Sequence, residues 1–188
     1  MPLFTHYCAS SLAGQTNKDF TWLIYTDVHT PEIILQKIKN AIVGSVRFII
    51  VPVENFDALL SDLRSRCETV LTPFVITSRL DNDDGISKDY IQTIQQHFEP
   101  TDNLVINLLG GVNYNLKEHI LTYHRHSLRN SFCSIAEQRK ESGMITVMGF
   151  NHLHPPPNSF TKNIPLPFAF WMNLHHQNAA IRNNRGIP

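Results

Sequence analysis

Three carboxylates, Asp81, Asp83 and Asp84, fall within four residues in ITSRLDNDDG (76–85), directly after an apolar run. Like charges crowded that closely repel, so the cluster calls for a positive partner. Asp81 and Asp83, two residues apart, present oxygens suited to one hard divalent cation, which would keep positions open for phosphate oxygens. The competing reading is a polar turn in which Gly85 takes a strained dihedral and the aspartates cap the next helix. Spacing alone leaves both open. A calcium loop of the EF-hand kind is excluded, because counted from Asp81 its fifth position is Gly85 and its sixth Ile86. A phosphatase-like pair of aspartates also departs from its pattern, since Gly85 stands where a hydroxyl is needed.

The elements that must position this cluster alternate. LFTHYCASSLA (3–13) has its apolar residues near helical spacing and ends at Gly14; FTWLIYTD reads as a buried strand from Phe20 to Thr26, stopping at Asp27. Thr30-Pro31-Glu32 is a helix start, with the helix expected to run to about Val43. A strand over 46–53, a helix over 54–67 and a strand over 72–80 follow, then a helix from Ser87 to about Phe98 and a strand from Asn103 to Leu109. Beyond Gly111 the pattern loosens: HSLRNSFCSIAEQ is expected as loop, short strand and turn, MITVMGF as a strand, and NHLHPPPNSFTKNIPLP as loop. Strand and helix in alternation predict an α/β fold with a largely parallel sheet, and in such sheets ligands bind at the carboxyl ends of strands. Asp27 and the acidic cluster both lie at such ends.

The chain has 188 residues, which suits a single domain. Its formal net charge of +0 and pI of about 7.2 supply no field to gather nucleic acid. With no apolar stretch near the roughly 20 residues of a spanning helix, and no signal-peptide pattern at MPLFTHYCASSL, no transmembrane segment and a cytoplasmic location are expected. Cys8, Cys67 and Cys133 form no CxxC pair and are expected reduced and packed. The chain has ten histidines, and His124, His126, His152, His154, His175 and His176 all lie in the C-terminal half, a weak pointer to metal or phosphate chemistry.

QTNKDFTWLIYTDVHTPE (15–32), VITSRLDNDDGISKDYIQTIQ (75–95), NSFCSIAE (130–137) and the spacing Trp171, His176, Asn178 together resemble the rhamnosyltransferase family of GT-A glycosyltransferases, in order over roughly 3–178. The resemblance implies a Rossmann-type sheet flanked by helices, divided as a nucleotide-sugar-binding half (1–111), a loop-rich acceptor half (112–178) and a tail (179–188). It also implies a nucleoside-diphosphate sugar donor and a glycan or saccharide acceptor. By that likeness Asp27 helps hold the nucleoside, Asp81 and Asp83 form a DxD element for Mn2+ or Mg2+, Arg79 balances charge or touches phosphate or sugar, and His176 is a late metal or diphosphate contact. Asp84 either faces the sugar or caps the next helix. Glu137 and His152 are the candidates to deprotonate an acceptor hydroxyl, if the reaction inverts the anomeric centre.

Proteins of that kind usually begin with a strand ahead of the first helix, whereas MPLFTHYC starts at the helix, so the expected sheet lacks its first strand. Unpaired backbone there would follow. A second expectation comes with it: a truncated, catalytically inactive GT-A-like domain that binds a partner or glycan and dimerises through the uncovered sheet. A third, metal-dependent phosphoryl hydrolysis, would require phosphate release from simple phosphomonoesters.

Overall fold

Apolar residues at the start of the chain close a helix against the sheet layer. A π-helical turn, Phe4–Ala9, runs into α1 (Ser10–Ala13) and buries Phe4, Cys8 and Leu12. Buried Gln15 fastens it in place: its Nε2 donates to the carbonyls of Ser11 and Ser87, and its Oε1 accepts from Ile91 N–H. The computed structural model describes residues 1–44, 46–128 and 130–175.

The parallel pair β1 (Thr21–Asp27) and β2 (Arg47–Val53) is joined through α2 (Glu32–Ala41), in register from Thr21↔Arg47 to Asp27↔Val53. Pro31 precedes the first helical residue and Glu32 sits in the first turn, near the positive end of the helix dipole. The helix stops at Ala41, two residues short of the expected Val43. Next comes α3 (Phe56–Glu68), capped by Asn55, whose side chain accepts from Ala58 N–H at 2.9 Å, then β3 (Phe74–Ser78). After the acidic turn come β4 (Gly85–Ile86), α4 (Tyr90–Gln96) and β5 (Leu104–Leu108). The second half supplies β6 (Gly111–Asn115), β7 (Ile120–His124), β8 (Ser134–Gln138), β9 (Phe160–Ile164) and β10 (Phe170–Leu174).

The α/β class holds, but the largely parallel sheet does not. Among the described residues the strands form three sheets, β1-β2, β3-β8-β5-β9 and β4-β10-β6-β7, with three parallel and four antiparallel pairings. β8 inserts antiparallel between β3 and β5, and β6-β7 is a hairpin; neither pairing needs a crossover helix. Among the described residues β1 pairs only with β2 and β3 only with β8, although Leu23 and Tyr25 share an apolar cluster with Val75.

Two local expectations are corrected. MITVMGF forms no strand: Thr146 takes φ 63°, an outlier for a β-branched residue, and its backbone donors find side chains instead of a neighbouring strand. Glu137 accepts from Ile145 and Thr146 N–H at 2.6 and 2.8 Å, and Thr77 Oγ1 accepts from Val147 N–H at 2.8 Å. Conversely, SFTKNI, expected as loop, contains β9. It completes the sheet beside β5, with its side chains partly exposed, which is why its apolar signal is thin.

β5 and β9 run parallel, bend together, and re-pair as β6 and β10, again parallel. Between the pairs Leu108↔Ile164 and Gly111↔Phe170 one chain advances three residues and the other six, so the second bulges over 165–169. Gly110 and Gly111 make this possible. A Cβ at Gly110 would stand 2.3 Å from the Leu166 carbonyl oxygen, and one at Gly111 2.0 Å from the Phe170 ring. Gly110→Ala therefore forces backbone apart, and urea unfolding should show a loss of about 1 to 3 kcal/mol; unchanged stability would mean that the bulge adjusts freely.

Candidate functional site

The acidic cluster is a turn between β3 and β4, with Asp84 N–H donating to the Asp81 carbonyl at 3.2 Å. Because β4 pairs with β10 through Gly85↔Trp171 and Ile86↔Phe170, the turn lies alongside the second half of β10. Asn173, fully buried, is the fastener. Its backbone N–H donates to Asp84 Oδ1 at 2.8 Å, its Nδ2 donates to the Asp83 carbonyl, and its Oδ1 accepts from Trp171 Nε1–H at 2.9 Å.

Each carboxylate ends up in a different setting. Asp81 is half exposed and paired with Arg79 at 3.2 Å. Asp83 is largely covered, with Oδ2 2.7 Å from His175 Nε2. Asp84 is only 3% exposed. Burial pushes its pKa from 3.8 up to about 7, against the Asn173 N–H bond, which lowers it; the charges of Asp83 and Asp81 add to the rise. Cys8, beneath the turn, is pushed up to about 12 by burial first and then by the charges of Asp84, Asp83 and Asp81. The carboxylates of Asp81 and Asp83 thus reinforce what burial does to Asp84 and Cys8.

His152 belongs to the same neighbourhood. Burial, and then the Arg79 charge, hold its ring below the usual histidine range, with Asp81 pulling the other way. The structure therefore brings Arg79, Asp81, Asp83, Asp84, His152 and His175 together. Glu137 is placed elsewhere: it pairs with Val75 in register, three residues before Ser78, and both its oxygens are taken by Ile145 and Thr146 N–H. Its geometry is that of a loop anchor. Asp27 ends β1, accepts from His29 N–H at 2.7 Å, and lines a cleft of about 400 Å³ with Thr26, Lys39, Phe48 and Pro52, a cleft to which the acidic turn contributes no residue. His176 and Asn178 lie outside the described residues.

Asn173 and His175 were not picked out as site residues. The signal was the strand period, since Trp171 and Asn173 alternate onto one face of β10 and His175 follows directly after it, but a five-residue strand gives that period little weight. Among the described residues no group of three or more His, Cys, Asp or Glu converges as a preformed metal cage, and no helix is long and apolar enough to cross a membrane. Cys8, Cys67 and Cys133 are each buried.

A family model described as "Putative rhamnosyl transferase" matches residues 1–185. No curated protein matches the chain.

Two predictions follow from these settings. The folded-state pKa of Asp84, about 7, lies above its ordinary 3.8, so the folded protein holds a proton that the unfolded chain releases. Stability from this group is full below about pH 4 and falls as pH rises to about 7. In metal-free buffer Asp84→Asn should remain as stable as wild type near pH 4 and gain on the order of 3 kcal/mol over it above pH 7; a difference independent of pH refutes the burial argument. Glu137→Gln should lower stability by about 1 to 3 kcal/mol, because a buried acceptor of two N–H bonds becomes in part a donor; a loss of turnover at unchanged unfolding free energy would instead make Glu137 catalytic.

Proposed function

The chain belongs to this rhamnosyl transferase family, and from that premise we propose that it transfers a sugar from a nucleoside-diphosphate donor to a saccharide acceptor at the turn between β3 and β4, in a GT-A-like manner. The observation that carries the reading is the Asn173 clamp. It buries Asp84 and fixes the turn backbone, leaving Asp81 half exposed and Asp83 about one-fifth exposed on one short segment.

The residues fit a divalent cation, Mn2+ or Mg2+. Asp81 and Asp83 add to the rise that burial imposes on Asp84 and Cys8, so their charges are felt across the turn, and two oxygen-bearing side chains suit an ion that takes its remaining ligands from phosphates and water. Asp81 and Asp83 would hold it as a DxD pair. When bound, the ion stabilises the charge that develops on the leaving diphosphate. Arg79 holds Asp81 and His175 holds Asp83, orienting both carboxylates. His152, kept on the neutral side by burial and by Arg79, can accept the proton of an acceptor hydroxyl. Glu137 cannot reorient to do so without abandoning two backbone donors. Asp27, at the rim of its cleft, is the proposed nucleoside contact, and the rhamnose specificity rests on the family alone.

A second reading, a GT-A-like binding domain without turnover, is favoured by one observation: among the described residues β1 has a strand partner on one side only. Calorimetric titration with UDP, dTDP and GDP, with and without manganese, separates the two. The transferase reading expects micromolar binding of one nucleotide that needs the metal and weakens at least tenfold in Asp81→Asn and Asp83→Asn, with circular dichroism unchanged. Metal-independent binding, or equal binding by both variants, overturns the metal assignment. A folded protein that binds no nucleotide favours the second reading.

A further inference from the structure

Sheet register places Trp171, Val112 and Tyr123 side by side across β10, β6 and β7, with Asn173, Tyr114 and Leu121 as the next row of the same face. The rings fall into two groups on neighbouring strands. Trp171 lies 5.5 Å from Tyr114 and 5.9 Å from Tyr7, while Tyr123 lies 5.0 Å from Phe168, which projects from the bulge between β9 and β10. Phe168 is 60% exposed and takes φ 56°. A bulky side chain at positive φ is a strained arrangement, and exposure denies it the burial that would offset the strain. Tyr123 is likewise 43% exposed. At its other end the row is tied to the acidic turn, because Trp171 donates to Asn173, which holds Asp83 and Asp84.

We propose that Phe168, Tyr123, Tyr114 and Trp171 form a stacking platform for an oligosaccharide, which runs from solvent towards the acidic turn. The assignment to an acceptor, rather than to any other glycan, rests on the transferase reading above. Saccharide is the class that fits. Aromatic faces are negative and attract the weakly positive C–H faces of sugar rings, and the two rows of this face contain no Asp, Glu, Lys or Arg to select an ion. Three neighbouring strands span roughly 10 Å, more than one sugar ring occupies.

The test uses the full chain, its Tyr123→Ala and Phe168→Gly variants, and a printed array of defined oligosaccharides, followed by calorimetry with the best-retained saccharide. Glycine suits the left-handed φ, and thermal melts confirm that both variants fold. Wild type should retain at least one oligosaccharide, and each variant should bind it at least tenfold more weakly while leaving nucleotide and manganese affinity unchanged. Equal saccharide binding by wild type and variants overturns the proposal, as does retention of no saccharide by wild type. Variants that lose self-association in sedimentation, or lipid-vesicle binding, but bind saccharide as wild type does, overturn it too. Platform-dependent saccharide binding with no nucleotide bound would sustain the platform and refute the donor site instead; nucleotide binding without saccharide would do the reverse.

Discussion

Three carboxylates within four residues cannot hold one conformation unless their backbone is tied to something neutral and rigid, and in this protein that something is Asn173. Its backbone N–H and both ends of its side-chain amide are used: the N–H on Asp84, the amide nitrogen on the Asp83 carbonyl, the amide oxygen on Trp171. An unpaired amide at that depth would cost about 1 to 3 kcal/mol; fully paired, it converts a repelling turn into a fixed one. Everything else about the site depends on β10 being where it is. The strand carries Asn173 and Trp171, is followed directly by His175, and pairs with β4, which continues from the turn itself.

β10 in turn reaches its place through the shared bend. Two parallel strands leave one sheet and re-pair in another, and the close approach this requires is possible only because Gly110 and Gly111 have no Cβ. The longer chain absorbs its excess as a bulge, which brings Phe168 to the surface beside Tyr123. A single backbone constraint thus links the acidic turn to an aromatic surface three strands away. Buried asparagines stiffen the same bend: Asn130 donates to Asn107 at 2.8 Å, and Asn107 donates to Asn163 at 2.9 Å.

The two kinds of unusual residue in the second half have different causes. Thr146, fully buried at positive φ, is held by Glu137 against the end of β8 and serves the fold. Phe168, exposed at positive φ, has no such anchor among the described residues and packs its ring beside Tyr123. Burial separates them, and burial is a property that neither residue type nor local spacing carries.

The sequence by itself determined the alternation of β1, α2, β2, α3 and β3, because helical and strand periods there are long and bounded by Pro31, Asn55 and the acidic turn, and it placed the three carboxylates at a strand end. It also carried the family, through motifs that lie in chain order. Tertiary structure alone decided that the sheets are mixed, that MITVMGF is held by side chains while SFTKNI is a strand, that Glu137 anchors a loop, and that Asn173 and His175 attend Asp83. The physical reason is sequence separation. A helix or a buried strand records its neighbours within a few residues, but the partners of Asp83 lie about ninety residues away, and no local pattern encodes which distant strand will supply the missing hydrogen bond.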